Sequence, residues 1–250
     1  MVGATKRARQ EVSDSEVEKV KNLEDFRLTD MPDAEVFYVP RFVDEAVAEE
    51  WYLALLELDS WYRPKLKVYG REITQSRKIA AYATEPTITL KYSGQLVDMK
   101  YEYPPLLRRI QDEVEERLGV KFNHVMLNLY EDGSVYIGNH RDNLENRVIA
   151  SVSLGAPRTF IMTHDAPKHS KATSSPPTKR LRGSIPSSSP TSAEATTGST
   201  ATVHKKRWTL EPGSLVVMQG DTQKFWKHEI PKEFKVKDGR ISLTFRQLVF

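Results

Sequence analysis

The chain has 250 residues, 39% of them hydrophobic, and a formal net charge of +3. It contains no cysteine, which excludes disulfide scaffolding, thiolate metal sites and cysteine nucleophiles and makes an intracellular location the expectation. No window approaches the length of a membrane span and the N-terminus lacks a signal-peptide apolar run, so no membrane partner is expected.

Residues 1–30 read as a disordered tail. A basic cluster (Lys6, Arg7, Arg9) precedes an acidic one (Glu11, Asp14, Glu16, Glu18), with too few large apolar side chains to offset ordering. Val36-Phe37-Tyr38-Val39 reads as a strand. Asp44 is placed to cap a helix whose Val47, Trp51, Ala54, Leu55 and Leu58 follow helical spacing. A second helix is expected from Pro105, with Leu107, Ile110, Val114 and Leu118 on one side and Gly119 to end it.

From Phe122 the period changes to two, and strands are expected over 122–130, 148–154, 158–163, 214–219 and 240–250. Many short strands with turn signals favour a barrel or two-sheet jelly roll over a doubly wound fold. Residues 165–207 interrupt the pattern. They are rich in Ser, Thr and Pro and carry the basic clusters Lys179, Arg180, Arg182 and Lys205-Lys206-Arg207, which reads as a disordered surface insertion. It is either a solvated spacer or a nucleic-acid contact or nuclear signal.

His140-Arg141-Asp142 places an imidazole and a carboxylate two residues apart, on one face of an extended chain. Alone the pattern is weak and needs a third ligand from a distant strand. His228 is the natural candidate, just before the last strand. Two imidazoles and a carboxylate suit Fe(II) and leave coordination positions open. His169 and His204 lie in the insertion, while His124 and His164 are expected to satisfy local hydrogen bonds. On the last strand Arg240, Ser242, Thr244 and Arg246 share one face and Ile241, Leu243 and Phe245 the other. Two guanidinium forks on one face suit a ligand with a carboxylate at each end. Asn128 and Tyr130 share a face of strand 122–130 and can donate into the same cavity. Together these features read as a 2-oxoglutarate-dependent oxygenase.

Several stretches closely resemble the AlkB family of Fe(II)/2-oxoglutarate dioxygenases, particularly its duplex-DNA repair branch. They are Asn128-Leu129-Tyr130-Glu131-Asp132-Gly133, Ile137-Gly138-Asn139-His140-Arg141-Asp142, Ile149-Ala150-Ser151-Val152-Ser153-Leu154-Gly155, Pro212-Gly213-Ser214-Leu215, Trp226-Lys227-His228 and Arg240-Ile241-Ser242-Leu243-Thr244-Phe245-Arg246. The resemblance implies a mainly β fold with flanking helices (α+β): a double-stranded β-helix (jelly-roll) core over 121–250, and an N-terminal helix and hairpin nucleotide-recognition region over 31–120. It implies Fe(II) on His140, Asp142 and His228, with 2-oxoglutarate on Asn128, Tyr130, Arg240, Thr244 and Arg246, and O2 as co-substrate. In that family the first arginine pairs with the distal carboxylate and the last with the one beside the keto group.

Val68-Tyr69-Gly70-Arg71 with Ser76-Arg77-Lys78 resembles the family's duplex-binding hairpin, in which an aromatic residue fills the gap left by a flipped base. Tyr69 at the tip with Gly70 is then the wedge, with Arg71, Arg77 and Lys78 near phosphates. Tyr92-Ser93-Gly94 resembles the nucleobase lid, so Tyr92 is expected to stack on the damaged base, beside Ser93. The chain departs from the branch at Asn143 and Leu144, where acids are often found, at Leu90 in place of a lid aromatic, and at Ser242 in place of a common asparagine. The activity implied is oxidative demethylation of N-alkylated bases in DNA, duplex favoured, releasing formaldehyde, succinate and CO2, by a monomer in the nucleus, with the cytoplasm as the alternative. Competing readings are the same chemistry on single-stranded DNA, RNA or protein, and a catalytically silent nucleic-acid-binding module, against which the intact triad argues.

Overall fold

The computed structural model describes residues 22–68, 71–92, 95–165 and 204–249. The N-terminal part carries β1 (Glu35–Val39), α1 (Glu45–Leu56), β2 (Lys65–Val68), β3 (Arg71–Thr74), β4 (Lys78–Ala83), β5 (Lys91–Tyr92), β6 (Gln95–Leu96), β7 (Met99–Lys100) and α2 (Pro105–Leu118). The rest carries β8 (His124–Tyr130), β9 (Ile137–His140), β10 (Asn146–Gly155), β11 (Arg158–His164), β12 (Lys205–Leu210), β13 (Leu215–Gln219), α3 (Thr222–Phe225), β14 (Trp226–Ile230) and β15 (Arg240–Leu248). One sheet runs β1-β13-β10-β15-β8-β4-β7 and a second runs β12-β11-β14-β9, while β2-β3 and β5-β6 form separate hairpins. The two sheets pack face to face as a double-stranded β-helix, Ile149, Val216 and Met218 of the first meeting Phe160, Met162 and Trp226 of the second.

The alternation of β15 decides which chemistry faces inward. Ile241, Leu243 and Phe245 are fully buried on the outer face of the large sheet, in one cluster with Trp51 and Leu55 of α1 and Leu107, Ile110 and Val114 of α2. Each contributes about 1.5–3 kcal/mol by burial. With the outer face covered by helices, the polar residues of β15 are forced between the sheets. The second helix ends as its sequence requires: Gly119 adopts φ 64°, and its N–H donates to Glu115 O at 2.8 Å. Asp44 occupies the N-cap position of α1 with an extended backbone, but its side chain makes no capping hydrogen bond.

Two expected boundaries shift. Within the expected tail, Leu23–Phe26 forms a 3-10 turn that Asn22 Oδ1 caps by accepting from Glu24 N at 3.1 Å, and Leu23 and Phe26 pack on the core. Within the expected insertion, Lys205–Arg207 belong to β12 and pair with β11. Trp208 explains this, because its ring lies 5.0 Å from Phe160 and 6.3 Å from Tyr38, which holds the strand to the small sheet. The remainder, 1–21 and 166–203, lies outside the described residues.

Candidate active site

The space between the sheets holds a cavity of about 150 Å³ lined by residues of both. His140 is the last residue of β9 and His228 the centre of β14, and antiparallel pairing sets them directly opposite each other. Their ring centroids are 4.4 Å apart. His140 Nδ1 lies 2.8 Å from Gly138 O, an acceptor, so the proton sits on Nδ1 and the Nε2 lone pair is free. Asp142 reaches the cavity differently from the same-face expectation. It lies beyond the end of β9, and its backbone is fixed by donation from Asp142 N to Gln223 Oε1 of α3 at 3.0 Å.

Asp142 Oδ1 accepts from Arg246 Nη2 at 3.0 Å. Burial raises the Asp142 pKa, but Arg246, His228 and His140 together outweigh it and hold the carboxyl at about 2. Burial, reinforced by His140, depresses His228 to about 3, and burial also lowers His140. Two neutral imidazoles and one carboxylate in its charged form are the donor set a ferrous ion needs. Among the described residues no three His, Cys, Asp or Glu side chains already close around one point, and Asp142 directs one of its oxygens to Arg246 instead.

The other end of the cavity is built around Arg240. It is 2% exposed, and Nη2 donates to Ser153 Oγ at 2.9 Å while Nε and Nη1 make no well-aligned hydrogen bond among the described residues. Burial lowers its pKa to about 10. A guanidinium sealed in the interior with two donors unmatched is a receptor for an anion, and a carboxylate matches its fork. Two guanidiniums lie near the ring of Tyr130, that of Arg240 at 5.2 Å and that of Arg158 at 5.6 Å. Asn128 Oδ1 accepts from Arg77 Nε at 2.9 Å, and Thr244 Oγ1 lies 3.3 Å from Ser151 Oγ. All five residues expected to hold the co-substrate line this one cavity.

The nucleic-acid residues divide. Tyr69, Gly70 and Ser93 lie outside the described residues. Arg71 is exposed on β3, Lys78 pairs with Glu131 at 3.0 Å, and Tyr92 pairs with Gln95 in the β5-β6 hairpin. Arg77 corrects the expectation of a phosphate contact: it is 4% exposed and turned inward to Asn128 and the cavity. His124 is a second correction. It too lines the cavity, and neither ring nitrogen finds the local hydrogen bond expected of it. Sequence reading missed Arg158, fully buried and bonded to Glu233, Asp132 O, Val135 O and Pro231 O. Nothing in its local pattern distinguishes it from a surface arginine.

Facing sheets that enclose paired imidazoles, a carboxylate and a buried anion receptor define an oxygenase-type jelly roll. The sequence matches the 2OG-Fe(II) oxygenase superfamily over residues 35–246, and the chain belongs to that superfamily as an AlkB-like member. Membership brings Fe(II), 2-oxoglutarate and O2 as cofactor and co-substrates. The chain is 30% identical over 223 residues to the protein named DNA oxidative demethylase ALKBH2 of Arabidopsis thaliana, covering 85% of this chain and 66% of that one. It is 33% identical over 189 residues to the Mus musculus protein of the same name, covering 74% and 67%. To the Homo sapiens protein named alpha-ketoglutarate-dependent dioxygenase alkB homolog 3 it is 28% identical over 211 residues, covering 83% and 64%. The chain thus spans about two thirds of the length of the curated relatives it matches.

Proposed function

We propose that the chain is an Fe(II)/2-oxoglutarate-dependent dioxygenase that demethylates N-alkylated bases in DNA, duplex favoured, releasing formaldehyde, succinate and CO2. In this reading His140, Asp142 and His228 hold Fe(II), and Asn128, Tyr130, Arg240, Thr244 and Arg246 hold 2-oxoglutarate. Bound there, Fe(II) supplies the oxidising chemistry, with O2 as oxidant and 2-oxoglutarate as co-reductant. The residues supply placement. Arg240 takes the distal carboxylate, and Arg246 the one next to the keto group while keeping Asp142 ionised. The imidazoles stay neutral, and the apolar walls exclude water from the reacting carbon. A monomer acting in the nucleus is part of the same proposal, as is the Tyr69 wedge.

One observation carries this reading. The two paired imidazoles and Asp142 meet in the same cavity as a buried guanidinium with two free donors. Similarity to proteins named for DNA oxidative demethylation supports the substrate class. The test is formaldehyde release from duplex and single-stranded oligonucleotides carrying N1-methyladenine or N3-methylcytosine. Release from duplex, matched by succinate, is the expected result. Co-substrate turnover with no release from either form overturns the DNA reading, and faster release from single strands overturns the duplex preference.

A further inference from the structure

Asn128 stands on β8 opposite Ser242 of β15 and Ile79 of β4. Along β8 its register position falls between Tyr130, opposite Arg240, and His124, opposite Arg246. Asn128 is thus placed between the two guanidiniums proposed to take the two carboxylates of 2-oxoglutarate, and all three residues line the cavity. A primary amide has two ends of nearly the same shape and opposite hydrogen-bonding sense. Its NH2 end attracts a carboxylate, and its carbonyl end repels one. Which end faces the cavity decides whether Asn128 helps or hinders the co-substrate.

Arg77 Nε donates to Asn128 Oδ1 at 2.9 Å, and Asn128 Nδ2 donates to Ser242 Oγ at 3.5 Å. The second contact is long, and a serine hydroxyl either donates or accepts, so Ser242 tolerates the amide both ways round. A guanidinium only donates, so Arg77 admits the oxygen and rejects the NH2 group. That partner fixes which amide atom is which. The placement of Arg77 is itself secured by the fold. It directly precedes β4, whose pairing with β8 brings it beside Asn128, and it is 4% exposed. Burying a guanidinium costs desolvation that a surface contact with a phosphate does not demand.

We propose that Arg77 is a positioning residue for the co-substrate: by engaging Oδ1 it turns the NH2 group of Asn128 toward 2-oxoglutarate and so sets the affinity for it. This rests on the assignment of Asn128 to 2-oxoglutarate in the reading above. Arg77 acts through Asn128 and adds nothing once that amide is gone. Without the Arg77 donor the amide is held by Ser242 alone, which accepts either end, and the carbonyl then competes for the place facing the carboxylates.

The experiment is a double-mutant cycle read by calorimetry: the Kd of 2-oxoglutarate for the Mn(II)-loaded protein in wild type, Arg77→Met, Asn128→Ala and the double variant. Arg77→Met is expected to weaken binding about tenfold, the scale of one hydrogen bond to a charged group, and Arg77→Lys, which still donates, to recover part of it. The double variant is expected to bind no more weakly than Asn128→Ala, because residues acting through one contact are not additive. A structural defect or a direct charge effect of Arg77 adds in both backgrounds. An additive loss therefore overturns the inference, as does unchanged affinity in Arg77→Met while Asn128→Ala weakens it. Should Arg77→Met not fold, Arg77→Gln replaces it in the cycle with the same expectation, since its amide both donates and accepts. Unchanged affinity in Asn128→Ala overturns the Asn128 assignment and this inference together. Wild type that binds 2-oxoglutarate but releases no formaldehyde from DNA overturns the DNA reading, and a non-additive cycle in that protein still upholds the role of Arg77.

Discussion

Arg246 and Asp142, 104 positions apart in sequence, both line the cavity and are joined by a 3.0 Å hydrogen bond with both side chains nearly buried, at 12% and 13% exposure. The pair ties the proposed co-substrate strand to the proposed metal strand. If Asp142 is the ligand proposed above, Arg246 does the work usually done by an outer partner of a metal ligand, orienting the carboxylate and keeping it charged. Arg246→Met is expected to weaken Mn(II) binding, measured by calorimetry as a stand-in for the ferrous ion, by about 10–100-fold. Arg246→Lys keeps the charge and recovers part of the loss. Unaltered Mn(II) affinity in the methionine variant sinks the assignment of Asp142 as a ligand oriented by Arg246.

Arg240 is a different kind of arginine. Among the described residues no carboxylate bonds to it and two of its nitrogens make no well-aligned hydrogen bond, and burial has lowered its pKa to about 10. Removing a buried charge without an ion-pair partner relieves desolvation, so Arg240→Met is expected to melt no lower than wild type. The same variant is expected to raise the KM for 2-oxoglutarate by up to about 100-fold, the loss of a charge-assisted bidentate contact of up to about 3 kcal/mol. Stability kept and co-substrate affinity lost is the signature of a residue retained for its ligand. A variant that melts well below wild type while its KM stays the same assigns Arg240 to the fold instead.

His124 gives stability a pH dependence whose sign is fixed by its burial. In the folded chain its pKa is about 3, whereas in the unfolded chain it returns to the ordinary imidazole value of 6.5. Between those values the unfolded state holds a proton that the folded state lacks, so stability falls as pH drops through this window. His124→Phe removes that contribution. Its melting temperature is expected to decline less steeply than wild type from about pH 7 to about pH 4. Parallel curves for the two proteins mean that the imidazole is protonated alike in both states.

The elements that could be read from sequence are those whose pattern is local. The alternation of β15 and the helical spacing from Pro105 to Gly119 each carry their own signal, and both elements fall where that spacing puts them. The small sheet was hidden apart from β11. Strand β14 reads as a strand only if His228 counts as an inward residue, and β12 opens with Lys205-Lys206-Arg207, which looks like linker until Trp208 is seen against Phe160. The site divides the same way. The imidazoles and arginines were legible because metal and carboxylate chemistry fix residue type and spacing. The inward turn of Arg77 depends on Asn128, 51 positions away, and the isolation of His124 depends on what its neighbours do not offer. Neither leaves a trace in local sequence.

Arg158 is fully buried, and its guanidinium makes four bonds that gather the connections at one end of the small sheet. Nε donates to Glu233 Oε2 at 3.1 Å, Nη1 to Asp132 O at 3.2 Å, and Nη2 to Val135 O at 2.9 Å and Pro231 O at 2.7 Å. Glu233 in turn accepts from Thr159 N at 2.9 Å and Thr159 Oγ1 at 2.6 Å. These contacts clamp the segment before β9 to the one after β14, the strands that carry His140 and His228. Arg158→Met leaves three carbonyls and a partly buried carboxylate without their donor, and breaking a buried pair in this way costs about 3–5 kcal/mol. Urea unfolding is expected to show that loss, with Glu233→Gln losing less because the amide still bonds Thr159. Weaker Mn(II) binding should accompany the stability loss in Arg158→Met, since the clamp sets the register of the two imidazoles. A variant of wild-type stability shows that the carbonyls find other donors and that the clamp does not hold the strands.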